Sequence, residues 1–247
     1  MEHFYFVADY TSRYYLDVPN ILLSASTSYL QNKKWHNWQG LTPERVFIDS
    51  GGYSFFRKWG DYPFSLEKYF EFIDIITELY PVELVAIRDY PCEPTINRKD
   101  ISTNKERIQK TVSNAVECIE SKEDYPWIPV IQGYTLDEYL YCINLYEEVG
   151  ISLAYSAIGS ICSRKGNIHT IRRIISEIAQ RTKGKIHAFG LSLVYLQDPI
   201  IFNTLYSSDS AAWNYYVSNH NEKQQAVYDY QKKLSLLFDD TIQEVLE

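Results

Sequence analysis

Short apolar runs that end in small or polar residues recur along this chain and alternate with amphipathic stretches. Phe4–Ala8 runs into Asp9, and Asn20–Leu23 into Ser24. Val46-Phe47-Ile48 empties into Asp49-Ser50-Gly51-Gly52-Tyr53, and Glu83–Ala86 into Ile87-Arg88-Asp89-Tyr90-Pro91. Trp127–Ile131 leads to Gln132-Gly133-Tyr134, and Ile151–Ser156 to Ala157-Ile158-Gly159-Ser160. Lys185–Phe189 leads to Gly190-Leu191-Ser192, and Thr204–Tyr206 to Ser207-Ser208-Asp209-Ser210. These runs are too short for helices and rich in β-formers, so they predict eight strands.

The stretches between them carry helical spacing. Ser65–Leu79 places Leu66, Tyr69, Phe70, Ile73 and Ile76 on one side, and Thr103–Ile119 does the same with Ile108, Val112, Val116 and Ile119. Thr135–Val149 opens on a Thr-x-x-Glu capping pattern, Thr135 to Glu138. Ile168–Ile178 reads as a helix, Asp198–Asn203 as a short helix or turn, and Glu222–Leu246 as a C-terminal helix. Strand–helix alternation predicts a parallel sheet, and eight strands favour a closed (β/α)8 TIM barrel. The 247 residues match that fold's usual length, so one domain over residues 1–247 is expected. The first two units are irregular, which keeps a doubly wound open sheet as the alternative.

Composition sets limits on this picture. A hydrophobic fraction of 45% supplies one large core, and no segment has the unbroken apolar run of a membrane helix. The N-terminus lacks the basic start and apolar core of a signal peptide. Cys92, Cys118, Cys142 and Cys162 are widely spaced without a CxxC pair, which predicts reduced thiols, no zinc knuckle and a cytoplasmic location. A net charge of −8 argues against a passive nucleic-acid coat but leaves room for a local basic face. Candidates for such a face are Arg57-Lys58, Arg98-Lys99, Lys105 with Arg107, Arg164-Lys165 and Arg172-Arg173, although most surface charge pairs are merely solvating. Among 22 tyrosines, Tyr53, Tyr90, Tyr134 and Tyr155 stand at strand ends, where a ring can stack on a base.

α/β folds place their chemistry where strands empty into polar residues and glycine. The residues at these ends carry a family resemblance. Asp49-Ser50-Gly51-Gly52-Tyr53 resembles the Asp-Ser-Gly-Gly-Phe motif of the tRNA-guanine transglycosylase superfamily, and Val130-Ile131-Gln132-Gly133 its Gln-Gly strand end. Ala157-Ile158-Gly159 is similar to its Gly-Gly loop, His187-Ala188-Phe189-Gly190 to the strand before its nucleophile, and Asp209 falls where the nucleophilic aspartate belongs. Each motif is weak alone; their order from Asp49 to Trp213 is what makes them specific. The tRNA-acting members carry a Cys-x-Cys-x-x-Cys…His zinc site and a Pro-Thr-Arg signature after the nucleophile. This chain has neither and reads Asp209-Ser210-Ala211-Ala212-Trp213, more like the DpdA branch, which inserts 7-deazaguanine bases into DNA.

The resemblance implies a pentosyltransferase that exchanges guanine in DNA for a preQ0-like 7-deazaguanine through a covalent aspartyl–sugar intermediate. Short phage- and defence-associated members of that branch exist, which implies the cytoplasm of a bacterial, archaeal or phage-infected cell. Retention at C1′ calls for two displacements, so one carboxylate attacks and a second group shuttles the proton. By resemblance Asp209 is the nucleophile and Asp49 the general acid/base, with Ser50, Asp89, Gln132, Gly159 and Tyr53 holding the base. No zinc or other cofactor is expected. The expected partners are DNA, a free 7-deazaguanine base and helper proteins that open the duplex, with no membrane. Alternatives are the same exchange on tRNA and a non-catalytic nucleic-acid-binding or partner subunit. Plainer readings stand beside these: Asp89 opening a turn, Gln132 satisfying backbone, His187 as a core histidine, Cys92 as a small buried hydrophobe, and Asp9 without a motif.

Overall fold

The computed structural model describes residues 1–9, 11, 16–29, 34–94, 96, 103–164, 166–214, 217 and 219–246. The strands are β1 (His3–Ala8), β2 (Asn20–Ser24), β3 (Arg45–Asp49), β4 (Val82–Ala86), β5 (Trp127–Ile128), β6 (Val130–Ile131), β7 (Tyr155–Ile158), β8 (Lys185–Ala188) and β9 (Ser207–Ser210). They form one parallel sheet in the order β5-β4-β3-β2-β1-β9-β8-β7-β6. Its two ends, β5 and β6, are halves of one stretch interrupted at Pro129, which has no N–H to give to a ladder. The Pro129 carbonyl still accepts the Ala157 N–H at 2.8 Å. Covalent continuity therefore closes the ring, and the expected (β/α)8-type barrel is what forms, with the first and last strands paired through Tyr5 and Asp209.

The helices are α1 (Ala25–Ser28), α2 (Gly52–Trp59), α3 (Leu66–Leu79), α4 (Asn104–Ser121), α5 (Leu136–Glu148), α6 (Ile168–Thr182), α7 (Leu193–Leu196), α8 (Pro199–Thr204) and α9 (His220–Leu246). Thr103 and Thr135 each close a capping box, with Glu106 and Glu138, so both long middle helices start where a side chain satisfies their free N–H groups. Asp198 caps α8, with Pro199 in its first turn.

Many tyrosines turn out to be ties between the helical layer and the barrel. From α3, Tyr69 donates to the Ala86 carbonyl at 2.8 Å. From α5, Tyr139 donates to the Gly159 carbonyl at 2.8 Å and Tyr146 to the Val130 carbonyl at 3.0 Å. All three are fully buried, so each ring packs the core while its hydroxyl satisfies a carbonyl on the strand layer. Inside the barrel Tyr5, Phe47 and His187 meet ring to ring, with centroids 5.6, 6.1 and 4.7 Å apart.

Two local expectations are corrected. The last strand is Ser207–Ser210 itself rather than Thr204–Tyr206, so Asp209 lies within the strand and not beyond it. β7 begins at Tyr155 rather than Ile151. Gly51-Gly52 opens helix α2.

Candidate active site

Asp49 ends β3 beside Ser24 of β2. Gly51 adopts φ 79°, and a Cβ there would fall 2.6 Å from the Ser26 nitrogen. A Cβ on Gly52 would sit 2.9 Å from the Asp89 carbonyl oxygen. The two glycines thus let α2 start directly against the neighbouring strand ends. Burial pushes the Asp49 carboxyl up to about 7, helped by the Asp89 and Asp209 carboxylates and opposed by hydrogen bonds from Ser24 and the Gly51 N–H. A carboxyl placed there exchanges a proton near neutrality.

Asp89, three residues beyond β4, is the node of a buried polar network. Its Oδ1 accepts the Ser50 hydroxyl at 2.7 Å and its Oδ2 accepts the Gln132 amide. The Tyr62 hydroxyl receives the Asp89 N–H at 3.1 Å and lies 2.9 Å from both the Asp89 carbonyl and Ser50 Oγ. Burial raises the Asp89 carboxyl, while the Ser50 and Gln132 hydrogen bonds hold it back. The network continues outward, since Gln132 Oε1 lies 2.6 Å from Ser160 Oγ, which is 2.7 Å from Glu93 Oε2. A Cβ on Gly159 would lie 2.2 Å from Gln132 Nε2, so the missing side chain is what seats that amide. The Gly159 N–H itself donates to the Ile131 carbonyl at 3.0 Å.

Asp209 is built differently. Two donors converge on its Oδ1: His187 Nε2 at 3.1 Å and the Gly190 N–H at 3.0 Å. Behind them, His187 Nδ1 is 2.8 Å from Ser207 Oγ, itself 2.8 Å from the Tyr155 hydroxyl. With the His187 proton on Nε2, every proton runs one way: Tyr155 to Ser207, Ser207 to His187, His187 to Asp209. Burial raises the Tyr155 hydroxyl, which keeps its proton at the head of this chain.

The structure thus joins Ser50, Asp89, Gln132 and Gly159 directly, and sets Asp49 within electrostatic reach of Asp89 and Asp209. Tyr53 stands apart on the first turn of α2, 37% exposed. Of the other strand-end rings, Tyr90 packs on Phe56 and Tyr134 lies under the Arg164 guanidinium. Trp213 is buried. Asp9 accepts from Thr11, and Cys92 is buried. His187 is both a core ring and a partner of Asp209, a pairing hidden in the sequence because its neighbours read as an ordinary strand. Glu93 also escaped notice, as an acidic residue between prolines reads as solvated loop. Tyr155, His187 and Ser207, polar positions on three strands that adjoin in the barrel, are a trace of this lining in the sequence.

The candidate basic residues divide. Arg57 and Lys58 are exposed on α2. Arg107 is fully buried and donates to the Pro91 carbonyl at 3.0 Å, so it belongs to the core. Arg172 pairs with Asp198 and Arg164 donates to the Tyr134 carbonyl. Arg98, Lys99 and Lys165 lie outside the described residues. Among the described residues no helix is long and apolar enough to cross a membrane, and no group of three His, Cys, Asp or Glu side chains is arranged to hold a metal.

No curated protein matches the chain. A family model described as DpdA, DeoxyPurine in DNA protein A, matches residues 2–228, which span every strand and the site above. The chain belongs to the DpdA family.

Proposed function

We propose that this protein replaces guanine in DNA with a 7-deazaguanine base by two displacements at C1′, with Asp209 as nucleophile and Asp49 as general acid and base. The observation that carries this reading is the contrast between two carboxyls at one barrel mouth. Asp209 is held by two donors on a single oxygen, while Asp49 is raised by burial to about 7. Paired carboxyls in unlike environments divide nucleophilic and proton-transfer work. Membership in the DpdA family supports a DNA guanine-modifying transglycosylase and favours DNA over tRNA. The pair also speaks against a non-catalytic subunit, since a scaffold needs neither carboxyl.

In the first step Asp209 attacks C1′ through Oδ2, because His187 and Gly190 occupy Oδ1. The C1′–N9 bond breaks, the departing guanine takes the Asp49 proton, and an aspartyl–sugar ester remains. In the second step the incoming base gives its pyrrole proton to Asp49 and its nitrogen displaces Asp209 from C1′. Asp49 ends protonated and Asp209 ionised, as they began. Asp89 accepts the N1–H and exocyclic amine of the base, while Gln132 and Ser50 line the same edge and Gly159 leaves them room. This chemistry asks for no metal or other cofactor. Site residues drawn from strands β3 to β9 would make the barrel one working unit.

Extracting a guanine from duplex costs a few kcal/mol. Exposed Tyr53 offers a stacking face against that cost, and Arg57 and Lys58 on the same helix offer phosphate contacts. Single-stranded DNA is therefore the better substrate for the isolated protein, and helper proteins would act by opening duplex. Labelled guanine in DNA should be released when 7-deazaguanine is supplied, faster from single strands than from duplex. Release from tRNA and not from DNA would overturn the assignment of substrate.

A further inference from the structure

Ser160 Oγ faces two acceptors with one proton. It lies 2.6 Å from Gln132 Oε1 and 2.7 Å from Glu93 Oε2, and its own lone pair already receives the Cys92 N–H at 2.8 Å. A hydroxyl donates once. If Glu93 is ionised and takes that proton, Gln132 Oε1 meets a lone pair and the amide is no longer fixed. If Glu93 carries a proton of its own, it donates to Ser160 Oγ, Ser160 donates to Gln132 Oε1, and Gln132 Nε2 donates to Asp89. Only this second arrangement satisfies every member.

We propose that protonated Glu93 is a positioning residue for base recognition, which through Ser160 holds the Gln132 amide with its NH2 group toward Asp89 and the base. This rests on the base-pocket reading of Asp89 and Gln132 above. Ser160 adds an independent mark. It adopts φ 54°, a conformation that favours glycine, so a serine there carries strain for which its hydroxyl is the compensation.

The surroundings suit a carboxyl that keeps its proton into weakly acidic pH. Glu93 is 1% exposed, and burial pushes it up to about 6. Asp89 beyond β4 adds to the rise, whereas Arg164 beyond β7 and the hydrogen bonds from Ser160 and the Glu93 N–H oppose it. Cys92 beside it, Cys162 beyond β7 and Tyr139 on α5 also face Glu93; burial raises all three groups, so they remain neutral over the same range.

The test is equilibrium binding of 7-deazaguanine between pH 5.5 and 8, with Asp49→Asn in the background so that the Asp49 carboxyl does not titrate. Affinity should weaken about tenfold toward pH 8 as Glu93 loses its proton. Glu93→Gln donates an amide hydrogen to Ser160 at every pH, so that alkaline loss should disappear. Ser160→Gly relieves the backbone and removes the whole side chain with its hydroxyl; it should bind weakly with no alkaline loss. An unchanged alkaline slope in both variants would overturn the role of Glu93. Failure of the parent protein to bind 7-deazaguanine at any pH would overturn the base-pocket reading beneath it.

Discussion

Two residues respond to substitution in ways that separate this site from a generic barrel rim. Asp49 holds its proton up to about 7 in the folded chain against 3.8 as an ordinary carboxyl. Between those values the folded state binds the proton and the unfolded state does not, so its contribution lowers stability as pH rises. Asp49→Asn removes that penalty and should stabilise the protein at pH 8 by on the order of 1–3 kcal/mol in urea denaturation, with little change at pH 4. It should also cut base exchange severely, as expected of a site that trades stability for function. Gly159→Ala acts by space: its Cβ would stand 2.2 Å from Gln132 Nε2, forcing the amide away. Base-exchange kcat/KM should fall about a hundredfold, with a higher KM for the free base and little change in melting temperature. Residues of this kind were legible because a carboxylate, amide or glycine at the end of an apolar run is conspicuous. His187 and Glu93 were not, since one sits inside a strand and the other in a proline-bounded loop, and only the closed barrel brings them to Asp209 and Gln132.

At the scale of elements, the long helices were readable from capping and periodicity. The Thr135–Glu138 box forms as expected, and Glu138 also receives the Tyr134 N–H and the Asn104 amide of α4. Thr135→Ala should cost about 1 kcal/mol in urea denaturation while leaving base exchange intact, because the cap lies outside the polar network. The elements that escaped are those without hydrophobic contrast. Ser207–Ser210 has no apolar residue, yet it is a fully buried strand whose hydroxyls are satisfied inside, with Ser208 donating to the Ala188 carbonyl at 2.8 Å. Helix α2 was hidden by the two glycines at its start, whose freedom serves close approach to Ser26 and Asp89. Ile151–Ala154 reads as mostly apolar without being strand; Ser152 and Ala154 are exposed, and the segment leads into β7.

For the whole molecule, the barrel accounts for how residues far apart in sequence meet. Asp49, Asp89, Gln132 and Asp209 belong to different staves, and closure at Pro129 sets their ends around one mouth. With a net charge of −8, the proposed exchange calls for DNA to be secured at this mouth rather than by a general attraction to phosphate. The central claim is that Asp209 becomes covalently joined to the sugar while Asp49 moves the proton. Denaturing gels of labelled single-stranded DNA with 7-deazaguanine test it most directly. The account predicts a shifted protein–DNA band that is abolished by Asp209→Asn, since an amide is too poor a nucleophile, and that still accumulates slowly with Asp49→Asn. A band that persists in Asp209→Asn and vanishes in Asp49→Asn would contradict it.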